Sequence, residues 1–256
     1  MPLRLGAHSE RLSEVRSLSS VKGRSLAGNF AFEGPTLLEE ARNGGIPILE
    51  IYATEAAYAA APIVAQIEAA GTPVYLVDDR AARKISDLET PTGIVAITPL
   101  RLRTPAELMH GPILLLADLN DPGNAGTLLR SAEAFGAAGV IFGDLGVDPF
   151  HPKVVRGAMG ALFRLPLAHG GPQEVEPAAR AAGIPVFGLA MGGDALASIV
   201  FPADFILAVG HERHGLGRWE GLCGRRAGIP MRGKGESLNA GVAGSIALYE
   251  ALRSRG

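Results

Sequence analysis

The stretch LNDPGNAGTLLR, residues 119–130, decides how this chain is read. It follows ILLLAD (113–118), an apolar run with an acidic end that reads as a buried strand. Asp121-Pro122-Gly123 makes a turn, and the Asn124 side-chain oxygen is expected to cap the helix that follows. Leu128, Leu129, Ala132 and Phe135 then recur at helical spacing. Strand, tight turn and helix together are the repeating unit of an α/β protein. Two polar residues in the stretch lack a structural task. Asn124 sits on a glycine hinge, and Arg130 rides an otherwise apolar helix. The local alternative for Arg130 is an ion pair with Glu133, three residues on.

The bulk numbers agree with an α/β fold. In 256 residues, 47% are hydrophobic but only 5% are aromatic, so the core is built of Ala, Leu, Val and Ile. That favours helices packed on a parallel sheet. The formal charge of −2 offers no global attraction to nucleic acid, so any such case rests on local patches. A single cysteine, Cys223, excludes an intrachain disulfide and a cysteine zinc cluster, and fits a reducing compartment, the cytoplasm. No apolar stretch reaches the ~18 residues of a membrane span. The opening MPLRLGAHSERLSEVRS lacks the apolar region of a secretory signal. It reads as an amphipathic helix with Leu12, Val15 and Leu18 inward.

Strand-like and helix-like segments alternate from residue 29 onward. NFAFEG, IPILEIYA, TPVYLVD and GIVAITP read as strands; PTLLEEARNG, EAAYAAAPIVAQIEAA and DRAARKISDL read as helices. These form a first α/β unit, 1–98. The stretch 99–112, with three prolines, two arginines and little periodicity, reads as a linker. A second unit, 113–256, continues with strands at GVIFG (139–143), FRLPLA, IPVFGLA (184–190) and FILAVG (205–210). Helices are expected over HPKVVRGAMGA, 174–182 and 238–255.

In open α/β sheets ligands bind beyond the carboxyl ends of the strands. Four glycine-rich stretches fall there: DPGNAGTLLR, GLAMGGD, GHERHGLG and IPMRGKGESLNAG. Glycine lets backbone approach a ligand closely. The polar residues that interrupt these loops carry more meaning: Asn124, Arg130, Glu212, Ser237 and Asn239. His211 and His214 are three apart and flanked by glycines, unlike the helical four-residue spacing of a zincin site, so no metal is expected. No GxGxxG opens a helix after the first strand, which argues against dinucleotide binding. Arginines and lysines gather at 213–234 and 1–28, a pattern that suits phosphate contacts as well as solvated surface.

At these residues the sequence resembles the SpoU/TrmH family of S-adenosylmethionine-dependent RNA ribose 2′-O-methyltransferases. Three family motifs occur in order. N-x-G-x-x-x-R is Asn124 to Arg130, G-x-E-x-x-G is Gly210 to Gly215, and I-P-M-x-G-x-x-x-S-L-N is Ile229 to Asn239. FAFEGPTLLEEA and TPTGIVAI in the first unit resemble the family's N-terminal RNA-binding domain. Two positions depart from the pattern. Ala240-Gly241 stands where the family usually has Val-Ser, and Ala158 stands where it commonly has serine.

The resemblance implies a trefoil knot in the C-terminal α/β domain, and a homodimer with its active site near the interface. It implies S-adenosyl-L-methionine as cofactor, held by Leu189, Ala190, Met191, Gly192, Val209, Gly210, Ile229, Met231 and Leu238. The substrate it implies is a structured RNA, ribosomal RNA ahead of transfer RNA. Asn124, Arg130, Glu212, Ser237 and Asn239 become the catalytic set. Arginine holds its proton too tightly to serve as a base, so Arg130 is read as a clamp on a phosphate and the incipient alkoxide. Asn124 would orient the hydroxyl. A non-catalytic RNA-binding protein on the same scaffold is the alternative, and cofactor binding separates the two.

Overall fold

The computed structural model describes residues 2–6, 9–211, 214–233 and 237–253. The chain divides into two compact units, one of Met1–Arg101 with Phe150–Phe163 and one of Leu102–Pro149 with Arg164–Gly256.

The first unit contains β1 (Leu3–Arg4), α1 (Glu10–Ser17), α2 (Val21–Ala27), β2 (Asn29–Glu33), α3 (Pro35–Asn43), β3 (Glu50–Ala53), α4 (Glu55–Ala60), α5 (Pro62–Ala69), β4 (Val74–Leu76), α6 (Asp79–Ile85) and β5 (Ile94–Pro99). Its sheet runs β1-β4-β3-β5-β2. β5 lies antiparallel to both neighbours, and the other pairings are parallel. Leu12, Val15 and Leu18 are buried against Tyr52, Tyr75, Ala81 and Ile85, as the amphipathic pattern of α1 requires. The run 55–70 is two helices instead of one. Pro62 opens α5, and proline disfavours helical backbone in the residue before it, so Ala61 is extended at φ −116° and ψ 90°. Phe150 and Phe163 join this unit through β2. Phe150 lies 4.7 Å from Phe30, and Phe163 lies 5.1 Å from Phe32, ring centre to ring centre.

The second unit contains β6 (Pro112–Ala117), α7 (Pro122–Ala134) and β7 (Gly139–Gly143). After the excursion through α8 (Pro152–Gly157) and α9 (Ala161–Arg164) come β8 (Leu167–Gly170), α10 (Pro172–Ala182), β9 (Val186–Ala195), β10 (Phe205–Gly210), β11 (Arg225–Gly228) and α11 (Ala240–Leu252). The helix expected across 151–161 breaks where Met159 and Gly160 both take positive φ, 46° and 91°. The unit's sheet is ordered β11-β9-β10-β6-β7-β8, and every pairing in it is parallel. β6 and β10 lie at its centre and are buried almost throughout. Apolar runs without alternation are what strands covered on both faces require. α10 ends in a left-handed glycine, Gly183 at φ 67°, after which the Ile184 N–H returns to the Ala179 carbonyl at 2.9 Å. β11 had no apolar signal. Its approach to β9 needs glycine on both strands, because a Cβ on Gly228 would lie 2.7 Å from the Gly193 carbonyl oxygen. Among the described residues no helix is long and apolar enough to cross a membrane.

Trp219 is fully buried in this unit, packed with Leu115, Val175, Ala208 and Leu216. Removing so large a side chain from a packed core costs about 3–5 kcal/mol. Trp219→Ala should therefore lower the unfolding free energy of the second unit by that amount, with a lower urea midpoint followed by far-ultraviolet circular dichroism. An unchanged midpoint would show that the indole is not part of the core.

Candidate active site

The first turn of α7 differs in detail from the sequence expectation. The cap is Asp121, not Asn124: its carboxylate accepts the Asn124 backbone N–H at 2.7 Å, and Pro122 occupies the first helical position. Released from capping, the Asn124 side chain turns inward and is 9% exposed. It lies beside the start of α11. A Cβ built on Gly241 would stand 3.0 Å from Asn124 Oδ1 and 3.1 Å from Asn239 Oδ1. Asn239 caps α11 by accepting the Val242 N–H at 3.1 Å.

From there α7 and α11 run side by side in the same direction. A Cβ on Gly244 would lie 2.5 Å from Leu128 Cδ2, the Ser131 and Ser245 hydroxyls share a hydrogen bond of 2.7 Å, and Phe135 meets Tyr249 edge to face. Both helix N-termini, with their unpaired N–H groups and positive dipole ends, therefore open at the carboxyl edge of the sheet.

An open cleft lies at that edge. It is lined by Leu189, Ala190 and Met191 of β9, Val209 and Gly210 of β10, and Ile229, Met231, Ser237 and Leu238 of the loop before α11. The β9–β10 ladder ends at the Leu189/Val209 pair, and Ala190 and Met191 line the cleft beyond it. Eight of the nine residues expected around a cofactor thus share one cavity. Gly192 follows at φ 69° and is not among the lining residues. Sequence reading missed His211, Gly215, Ala240 and Ala243, which also line it. His211 and Gly215 stood inside the second motif. Ala240 and Ala243 are one helical turn apart on α11, a spacing with no chemical signal of its own. Among the described residues no cluster of His, Cys, Asp or Glu could hold a metal.

Arg130 does not line the cleft. It is exposed on α7, about 120° around the helix from Asn124. It has no hydrogen-bond or ion-pair partner among the described residues. The helix ion pair with Glu133 is not formed, because Glu133 is held by Arg164 through both carboxylate oxygens. Ser237 and Asn239 are exposed at the entry of α11. Glu212 lies outside the described residues, as do Arg213 and Lys234.

Most of the described arginines in the two basic stretches carry partners. Arg225 pairs with Asp194, Arg226 with Glu220, and Arg218 with Asp118 and Asp144. In the first unit Arg4 pairs with Glu55, Arg11 with Glu50 and Arg16 with Asp87. Arg24 is buried and donates to the Leu18 and Ser19 carbonyls.

The Arg218 group is the most elaborate of these. Its guanidinium donates to both oxygens of Asp118, at 2.7 and 3.0 Å, and to Asp144. Asp118 directly follows β6 and sits at φ 54°, a left-handed conformation that costs a non-glycine residue about 1–2 kcal/mol. Partial burial works against the charge on Asp118 and on Asp144, but the hydrogen bonds from Arg218 outweigh it, and both carboxyls ionise below their usual range. A depressed carboxyl pKa stabilises the fold above the unfolded value near 4, and that contribution is lost as pH falls through the folded value. The wild-type protein should thus lose urea stability as pH drops from about 5 to about 3. Trp219 fluorescence reports the transition, and Asp118→Asn should flatten the acid limb. An identical pH dependence in that variant would deny the carboxylate this role.

Residues 111–249 match the model of the SpoU rRNA methylase family, and residues 9–96 match an MRM3-like substrate binding domain. A 23S rRNA (guanosine(2553)-2′-O)-methyltransferase of Bacillus subtilis is 29% identical over 95% of this chain and 96% of its own length. An AdoMet-bound rRNA methyltransferase from Sinorhizobium meliloti superposes with a TM-score of 0.87 at 28% identity, covering 98% of this chain and 97% of the other. The AviRb SpoU methyltransferase of Streptomyces viridochromogenes, in complex with AdoMet, superposes at 0.84 with 28% identity, covering 97% and 98%. With a family model spanning more than half its length, the chain belongs to the SpoU rRNA methylase family.

Proposed function

We propose that this protein transfers a methyl group from S-adenosyl-L-methionine to a ribose 2′-hydroxyl of a structured RNA, ribosomal RNA ahead of transfer RNA. The observation that carries the reading is the cleft, where residues of the second and third motifs meet and which opens beside the buried Asn124 of the first. Its shape suits the cofactor. Leu189, Ile229, Met231 and Leu238 offer apolar walls for an adenine ring, while Gly210, Ala240 and Ala243 keep the interior clear. Residues 1–98 are assigned to RNA recognition, 99–112 to a linker and 113–256 to the methyltransferase domain, in line with the two family matches. The knot of the family is assigned to the second unit. The single cysteine supports action in the cytoplasm.

Bound in the cleft, S-adenosylmethionine supplies a methyl group on a cationic sulfonium sulfur. The chain's own residues orient the hydroxyl and favour the loss of its proton. Asn124 is fixed between two helix N-termini, where its amide can hold the ribose hydroxyl in line. Asn239 shapes the wall by capping α11, and Ser237 borders the cleft directly. Glu212 completes the assigned set. Arg130, charged and unpaired, clamps the RNA phosphate and steadies the developing alkoxide.

Losing one preorganised charge of this kind costs about 10²–10³ in rate. Arg130→Ala should lose that much in single-turnover methylation while cofactor affinity, measured by calorimetry, stays within about twofold. Lysine keeps the charge without the planar fork, so Arg130→Lys should recover part of the rate. A fully active alanine variant would remove Arg130 from the mechanism.

The protein is also assigned as a homodimer. Val242, Ile246 and Tyr249 form one exposed apolar stripe on α11, 41–54% accessible, and Phe135 of α7 extends it. Apolar stripes of this kind are covered in stable proteins by a partner surface. Light scattering should give twice the 26.5 kDa chain mass, and Ile246→Glu should return it to the single-chain value. A wild-type mass of one chain would overturn the assignment.

A further inference from the structure

The segment after β10 borders the cleft with its first half and is anchored by its second. His211 and Gly215 exchange backbone hydrogen bonds of 2.8 and 2.9 Å, and both line the cleft. Gly210 packs so closely against Gly215 that a Cβ there would lie 2.2 Å from the Gly215 carbonyl oxygen. Past Gly215, the chain drives Leu216 and Trp219 into the core, and Arg218, between them, reaches the other way. It meets Asp118 and Asp144, the first residues beyond β6 and β7.

Several features serve that meeting. Asp118 adopts a left-handed backbone, φ 54°, although it is not glycine. Gly143 leaves room for its carboxylate, since a Cβ at 143 would stand 2.4 Å from Asp118 Oδ1. The Leu145 N–H donates to the same oxygen at 3.3 Å. The Arg218 guanidinium lies 5.4 Å from the centre of the Trp219 ring, which is itself fully buried. An ordinary surface ion pair needs none of this. Strained backbone held by its surroundings is a pointer to function, and here the held residue is the anchor of a cleft wall.

We propose that Arg218 is a positioning residue for cofactor binding: its grip on Asp118 and Asp144 across the carboxyl ends of β6 and β7 fixes His211 and Gly215 where they line the cleft. The proposal rests on the reading of that cleft as the S-adenosylmethionine site. In the free enzyme the wall is then already in its binding position, so ordering it costs no affinity. Without the grip, the placement of His211 and Gly215 beside the cleft is no longer set.

The test compares the full-length wild type with Arg218→Gln, Arg218→Lys and the control Arg226→Gln. Arg226 also forms an ion pair, with Glu220, but it lies on β11 and holds no wall of the cleft. Calorimetric titration with S-adenosylmethionine at 25 °C is paired with melting temperatures and methylation kinetics. Arg218→Gln should weaken cofactor binding about tenfold, with the loss carried by the cofactor's KM rather than by kcat. Arg218→Lys should restore part of it, because lysine reaches the carboxylates as a point charge. Arg226→Gln should bind as the wild type does. If Arg218→Gln and Arg218→Lys melt lower but bind the cofactor with wild-type affinity, the grip is merely structural and the proposal is overturned. If the wild type itself does not bind S-adenosylmethionine, the reading of the cleft falls first and takes the proposal with it.

Discussion

The second unit depends on how closely α11 can lie against α7 and β10. Gly241 and Gly244 set that distance. A Cβ on Gly244 would lie 2.5 Å from Leu128, in space already held, and one on Gly241 would press at 3.0 and 3.1 Å on Asn124 and Asn239. Close approach brings residues far apart in sequence, the start of α7 and the loop before α11, to one edge of the sheet. It also sets two helix N-termini side by side, each of which favours negative charge.

Much of this was legible in the sequence. The central strands announced themselves through unbroken apolar runs, and GVIFG and FILAVG became β7 and β10 residue for residue. The second and third motifs marked two of the segments that line the cleft. What stayed hidden was hidden for physical reasons. The sequence RRAG gives β11 no apolar pattern, because that strand is held by backbone contact with glycines of β9. Asn124 was taken for the helix cap because asparagine suits that position, but Asp121 suits it equally and comes three residues earlier. The partnership of Arg218 with Asp118 spans 100 residues and leaves no local trace. The mixed sheet of the first unit was not distinguished from a parallel one, because short strands such as EIYA look the same in either direction.

The pairing of arginines with carboxylates has a consequence for binding that composition alone conceals. A free cationic surface binds RNA by releasing the counterions condensed on the phosphates, and its affinity falls steeply with salt. In the two basic stretches of this chain, Arg4, Arg11, Arg16, Arg218, Arg225 and Arg226 already carry carboxylate partners. A phosphate that approaches one of them exchanges one anion for another, so little entropy of ion release is gained. Such a pairing leaves shape, rather than bulk charge, as the larger handle for discriminating one folded RNA from another. A surface whose arginines are already paired gains less from counterion release than its arginine count suggests, so its affinity for RNA falls less steeply with salt.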